Sequence, residues 1–296
     1  LNQILTVDKP APLLDFLFEK LTDLKKTRVR QLLKHGCIFV KGRVTTQFNY
    51  ALRPGDEVHI KNTKLPTAKH ADQTFLDILF EDRDLIAISK PAGLLSVATD
   101  KIQSDTAIAE VNNFVNEKLS GKARRSCYQK SVYIVHRLDR DVSGVMLFAK
   151  NEETKDWLQE HWPEFSKDYV TVVEGHPERD SDTIISYLSE NKILRVISGP
   201  ERPGAREAQT YYEVIQSGKN YSLLSVTLGS GRKHQIRVHL ADIGCPVAGD
   251  KIYGAQTNPL KRIVLHACSL KLIHPTTGEP LEIKSPTPDS FSMMVK

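Results

Sequence analysis

Cysteine is scarce and scattered: Cys37, Cys127, Cys245 and Cys268 are the only four, and no two form a C-x-x-C pair. That spacing excludes a disulfide framework and the common zinc patterns, and leaves reduced thiols in a protein expected to be cytoplasmic. No apolar run approaches the roughly 20 residues that a membrane helix needs, and no charged-then-apolar signal segment opens the sequence. No membrane partner is therefore expected. Internal repeats and low-complexity stretches are also missing, which excludes solenoid and disordered-tail readings. Apolar residues make up 40% and charged residues 26%, ordinary values for a globular chain. With 296 residues there is room for two domains, each with its own core.

The net charge of +5 hides a division. Residues 1–70 hold 13 Lys and Arg against 6 Asp and Glu, and the other 226 residues hold 28 against 30. The basic character belongs to the first quarter, so that quarter is where a polyanion, most simply RNA, is expected to bind. Leu13, Leu14, Leu17, Phe18 and Leu21 recur at helical spacing and predict an amphipathic helix over about residues 11–22. Thr27 is a candidate N-cap for a second helix ending at Gly36, with Val29, Leu32 and Leu33 on one stripe and Arg28, Arg30, Gln31, Lys34 and His35 opposite. A strand at 37–40, a Lys41-Gly42 turn, the Arg53-Pro54-Gly55-Asp56 turn and a strand at 57–60 follow.

This order resembles the S-four-type RNA-binding module, or alpha-L motif, on Leu14-Asp15, the basic helix, Gly36, Ile38–Val40, Lys41-Gly42 and Gly55-Asp56. The resemblance implies that Arg28, Arg30, Lys34 and Lys41 touch phosphates, giving affinity with little choice of sequence. Residues 1–62 are expected to form this module. Residues 63–74 are polar, contain Pro66, lack periodicity and read as a linker, which leaves residues 75–296 as a second domain.

In that second part, strands are predicted at 78–80 and 85–88, then a helix carrying Ile108, Val111, Val115 and Leu119 with Asp105 or Thr106 at its start. The most irregular stretch is Val135-His-Arg-Leu-Asp-Arg-Asp-Val-Ser-Gly144. A strand-like run enters two charged residues and an aspartate, turns, and becomes apolar again over Val145–Ala149. Local rules broken in this way are expected at functional sites, so Asp139 is a candidate catalytic carboxylate. Asn151 is a candidate N-cap for a helix through Trp157, Leu158 and Trp162, and strands follow at 167–174, 208–215 and 221–228. Gly229–Leu240 leads from a glycine-rich loop into a helix with Ile236, Leu240 and Ile243 as its apolar face.

These strings resemble the RluA-type pseudouridine synthases over about residues 76–290. The family's H-R-L-D-x-x-T-S-G matches His136–Gly144 with Val142 in place of Thr, and K-x-Y matches Lys167–Tyr169. G-R-x-H-Q-I-R-V-H matches Gly231–His239, G-D-x-x-Y-G matches 249–254, and L-H-A matches Leu265–Ala267. The resemblance implies an α+β fold: the small alpha-L module, then a large mixed, mainly antiparallel sheet flanked by helices. It implies isomerisation of specific RNA uridines, with no cofactor and no metal, because nothing is oxidised and no group is imported. Asp139 is the implied catalytic carboxylate. Attack on the base, attack on the sugar and assisted elimination are all compatible with it. The resemblance assigns Arg237 to keep it charged, Tyr169 to pack on the base and take part in proton transfer, and Leu265 to touch the base. Arg137 is the implied wedge that fills the stack vacated by a flipped base. Large-subunit ribosomal RNA is the favoured partner, transfer RNA the other, and a monomer is expected. Val142 is expected to be a packing adjustment.

Two readings of other classes compete. Asp139-Arg-Asp141-Val142 resembles the nucleophile loop of magnesium-dependent haloacid-dehalogenase phosphotransferases, with Asp250 as the magnesium-binding acid, although His136 and Arg137 interrupt the apolar strand that loop requires and no second acid follows Asp250 at a suitable distance. A non-catalytic RNA-binding ribosome-assembly factor is the other, which the set of Asp139, Tyr169 and Arg237 argues against. His234, His239 and His266 with Cys245 or Cys268 match no common zinc spacing.

Overall fold

The computed structural model describes residues 3–22, 24, 29, 32–33, 37–40, 43–45, 50–60, 76–98, 106–120, 131–191 and 195–296. The chain divides into two compact units, Leu1–Gln73 and Thr74–Lys296. The predicted linker at 63–74 falls wholly outside the described residues.

In the first unit the strands β1 (Gln3–Thr6), β2 (Ala11–Pro12), β3 (Ile38–Val40), β4 (Arg43–Val44), β5 (Ala51–Leu52) and β6 (Glu57–Ile60) accompany one helix, α1 (Leu13–Lys20). A sheet of order β1-β6-β3-β4 and a β2-β5 ribbon form around it. The helix is shorter than the predicted 11–22 because Ala11 and Pro12 pair with β5 instead. Leu13, Phe16, Leu17, Val29, Leu32 and Leu33 pack with Ile38, Val58 and Ile60 in one core, so the apolar stripe predicted for the second helix is buried. Asp56 closes the predicted turn, its carboxylate accepting the Arg53 N–H at 3.1 Å. Arg28, Arg30, Lys34 and Lys41, along with Gly36, lie outside the described residues.

The second unit runs β7 (Asp77–Glu81), β8 (Leu85–Lys90), α2 (Ala107–Ser120), β9 (Tyr133–Ile134), β10 (Ser143–Ala149), α3 (Glu152–Glu160), β11 (Ser166–Glu174) and β12 (Ser181–Glu190). It continues through β13 (Val196–Gly199), β14 (Arg206–Ser217), β15 (Tyr221–Leu228), α4 (Gln235–Asp242), β16 (Leu265–Ile273), β17 (Pro280–Lys284) and α5 (Asp289–Met293). Its strands make one 11-stranded sheet of order β13-β12-β14-β15-β11-β16-β10-β8-β7, with β17 added to β16 and β9 to β10. The one parallel pairing among its named strands is β10 with β16, and it spans only Ser143↔His266 and Gly144↔Ala267. The join is tight: a Cβ on Gly144, which sits at φ +116°, would lie 2.1 Å from the Ala267 carbonyl oxygen.

Asn151 caps α3 as predicted, its side-chain oxygen accepting the Thr154 N–H at 2.8 Å. That helix stops at Glu160, short of the predicted Trp162, because Pro163 brings in a 3-10 turn over Trp162–Glu164. Among the described residues no helix is long and apolar enough to cross a membrane.

Candidate active site

The loop between β9 and β10 is the irregular stretch of the sequence, and its odd residues each have a structural reason. β9 pairs with β10 only at Phe148↔Ile134 and Ala149↔Tyr133. Past that point the Leu147 N–H donates to His136 Nε2 at 3.0 Å, so an imidazole stands in for the missing strand. The ring stacks on Trp162 with centroids 4.4 Å apart. Burial, then the nearby Lys167 charge, push its pKa down to about 3, which keeps it a neutral acceptor. Leu138 and Val142 face the core, and between them the Val142 N–H donates to the Asp139 carbonyl. Lys90, with no exposed surface, donates to the carbonyls of Pro91, Leu94 and Arg140 at 3.0, 2.8 and 3.1 Å. It ties the 91–94 loop to the turn bearing Asp139, and burial brings its amine down to about 8.

Asp139 meets α4 across this turn. Its Oδ2 accepts from Arg237 Nη1 at 2.7 Å, while Oδ1 has no hydrogen bond among the described residues. Arg237 is buried and turns its other side to Asp250, donating from Nε at 2.5 Å and Nη2 at 2.9 Å. Burial works against the guanidinium charge, but the bonds and charge of Asp250, then those of Asp139, outweigh it and raise the pKa of Arg237. His234 enters α4 from the left-handed region at φ 54°, with Nδ1 2.8 Å from the Tyr253 hydroxyl and Nε2 3.6 Å from Asp139 Oδ2. The last distance is an electrostatic approach, too long for a hydrogen bond. Burial comes first in holding the His234 pKa below its usual value.

The remaining residues of the helix string hold the frame. Gln235 Oε1 accepts from Ser230 Oγ and the Arg232 N–H, and its Nε2 donates to the Gln209 carbonyl and to Thr210 Oγ1. His239 bridges Thr210 and Ser186 at 2.9 Å each, fastening α4 to β14 and β12. Tyr169 projects from β11, where the register against β16 shifts between Asp168 and itself. A bulge of this kind re-aims one side chain. Burial, with the Asp139 charge second, raises the Tyr169 pKa, so the phenol keeps its proton. At the parallel join, Ser143 Oγ lies 2.8 Å from His266 Nδ1 and accepts from Arg262, which also donates to the Leu265 carbonyl.

The structure therefore brings Arg137, Asp139, Tyr169, Arg237 and Leu265 around one cavity, which Arg232 also lines. Val142 is both buried core and part of the cavity wall. Arg137 is exposed and makes no hydrogen bond or ion pair among the described residues. Asp250 overturns the phosphotransferase reading: both its oxygens are engaged by Arg237 in a site 1% exposed, so it is no free magnesium ligand. His234, His239 and His266 sit at three separate places with different partners. Sequence reasoning gave Lys90 no role, and gave Asp250 only that of a magnesium-binding acid in the phosphotransferase reading. The signal available for Asp250 was its place in the 249–254 string, and Lys90 precedes a Pro-Ala-Gly loop.

The profile of the RNA pseudouridylate synthase family matches residues 84–242, more than half of the chain and the whole span from β8 to α4. The chain belongs to this family. As an RNA pseudouridine synthase it is an isomerase, which sets aside the reading as a merely binding protein. An uncharacterized RNA pseudouridine synthase of Bacillus subtilis is 31% identical over 288 residues, covering 95% of this chain and 92% of that protein. The ribosomal large subunit pseudouridine synthase D of Zymomonas mobilis is 28% identical over 295 residues, covering 93% and 90%. Among solved structures, human RNA pseudouridylate synthase domain containing 4 shares the fold, with a TM-score of 0.58 at 23% identity over 73% of this chain and 90% of that one.

Proposed function

We propose that this pseudouridine synthase isomerises uridines of large-subunit ribosomal RNA, with Asp139 as the catalytic carboxylate acting on a flipped-out uridine. The observation that carries the assignment is the division of labour in one carboxylate: Oδ2 is engaged by Arg237 at 2.7 Å, and Oδ1 is free beside the cavity. A carboxylate anchored by one oxygen and unengaged at the other is oriented yet reactive. Arg237 holds it through a charge-assisted bond. Tyr169, as a neutral phenol with a flat ring on the cavity wall, packs against the base, and Leu265 supplies an apolar contact. Arg137, unpaired and exposed at the mouth, is suited to stack where the uracil left the helix while its charge meets phosphate.

The ribosomal target is supported by the relative from Zymomonas mobilis that carries that description and by the basic first quarter of the chain. In this reading residues 1–62 are an S-four-type module that anchors RNA, residues 63–74 link it, and residues 75–296 carry out the chemistry. Tritium release from RNA labelled at carbon 5 of uridine tests the assignment. Native protein should release label, Asp139→Ala should release none above background, and a chelator should change neither. Carbodiimide mapping of ribosomal and transfer RNA, with and without the gene, decides the target. A missing stop in transfer RNA alone would overturn the ribosomal assignment.

A further inference from the structure

Beside the catalytic cavity lies a second, roomier groove. Its floor is apolar: Leu188 of β12 and Val196 of β13 are 4% and 3% exposed. Its rim is basic, formed by Arg206 at the start of β14 and by Arg232 and Lys233 of the loop before α4. The one carboxylate on the lining, Glu190, is occupied by Lys233 at 3.2 Å. Arg206 and Arg232 are left without a carboxylate. The Arg206 side chain makes no hydrogen bond or ion pair among the described residues, and the Arg232 side chain spends only Nε, on the Glu207 carbonyl at 3.3 Å. The backbone is bare at Gly204 and Gly231, where an added Cβ would meet nothing closer than 3.7 Å.

Arg232 lines the groove and the catalytic cavity alike, so one guanidinium stands between them. A strand whose uridine has swung into the cavity must continue past that residue on one side. We propose that this groove is the subsite for the nucleotide next to the target uridine in the RNA strand: Arg206 and Arg232 grip its phosphodiester, and Leu188 and Val196 lie under its sugar and base. The inference rests on the uridine-isomerase reading above and adds a site to it. Unpaired guanidinium groups beside an apolar floor fit a single strand with splayed bases, where phosphate contacts give affinity with little choice of sequence. A duplex would present neither a free base nor a face to that floor.

Full-length protein and an RNA oligonucleotide spanning the mapped uridine provide the test, using native protein, Arg206→Ala and Arg206→Lys. Equilibrium binding is measured across salt, and tritium release gives KM and kcat. Arg206→Ala should weaken binding and raise KM about tenfold, a loss within the range of a charged hydrogen bond. Its kcat should stay at the native value. Its salt slope should fall by about 0.7, the share of one phosphate on a single strand, and Arg206→Lys should restore that slope. A second RNA carries one neutral methylphosphonate on either side of the target. On the correct side it should weaken native protein as much as the Ala variant and leave the variant no weaker. Native affinity and salt slope in Arg206→Ala, or a loss confined to kcat, overturns the groove. An absence of tritium release by native protein overturns the isomerase assignment instead, while the binding arm still decides the groove.

Discussion

Asp250 governs Asp139 without touching it. A guanidinium has five N–H donors in a fixed fork; Asp250 takes the Nε and Nη2 side and so fixes the plane in which Arg237 meets Asp139 with one bond from Nη1. Were Arg237 free to turn, it could grip both oxygens of Asp139 and leave neither to react. Asp250→Ala removes a buried partner, and breaking such a pair costs about 3–5 kcal/mol, readable as a lower urea midpoint at unchanged m-value. Asp250→Asn keeps the shape but sets an amide against a guanidinium; turnover should fall while KM for RNA stays level, since residue 250 never reaches solvent. His136 sets a different dependence. Its unfolded imidazole takes up a proton near 6.5 and the folded one only near 3, so its contribution is complete above 6.5 and is lost as the pH falls towards 3. His136→Gln keeps an acceptor for the Leu147 N–H and cannot titrate. Denaturation compared at about pH 7 and about pH 5 should show a smaller acid loss in that variant than in native protein.

At the level of elements, Gly144 is the fixed point. Any side chain there meets the Ala267 backbone and also needs a positive φ, a conformation that alone costs a non-glycine residue about 1–3 kcal/mol. Gly144→Ala should lower the melting temperature and abolish tritium release together, because the same join aligns the Asp139 turn with Leu265. Asn151→Ala should cost about 1 kcal/mol, the value of a cap, and leave turnover alone. Elements with a clean period were legible: Glu57–Ile60 and Tyr221–Leu228 are strands over the residues that alternation predicts. α4 was legible only in place. It is buried on every face from Gln235 to Leu240, while Ile243, expected on its apolar side, is 37% exposed. A helix buried all round has no stripe to read. β12 was missed because the apolar Ile185 lies on its exposed face, 59% exposed, so the sequence does not alternate where the strand does. Asp139 was legible because a charged turn interrupts an apolar run, whereas Asp250 was not, since its partner is set by packing across 13 residues of loop and helix.

As a whole, the molecule keeps its two units on separate cores, one built on Leu13, Leu17, Ile38 and Val58 and the other on Ile86, Met146, Val226 and Leu265. Removing residues 1–62 should therefore leave the second unit folded with Asp139 and Arg237 in place. RNA affinity should drop and its salt dependence flatten; unchanged affinity and slope would remove the module's role as an anchor. The two-residue parallel join has one more consequence, for the order of events on the ribosome. Ser143 and His266 are 123 residues apart, and the cavity wall is incomplete until β16 lies beside β10. Contacts of such long range form late, and the chain leaves the ribosome from its N-terminus. A nascent chain thus exposes its basic first unit well before it owns a finished cavity. Catalytic competence therefore arrives only after β16, Leu265–Ile273, has been made.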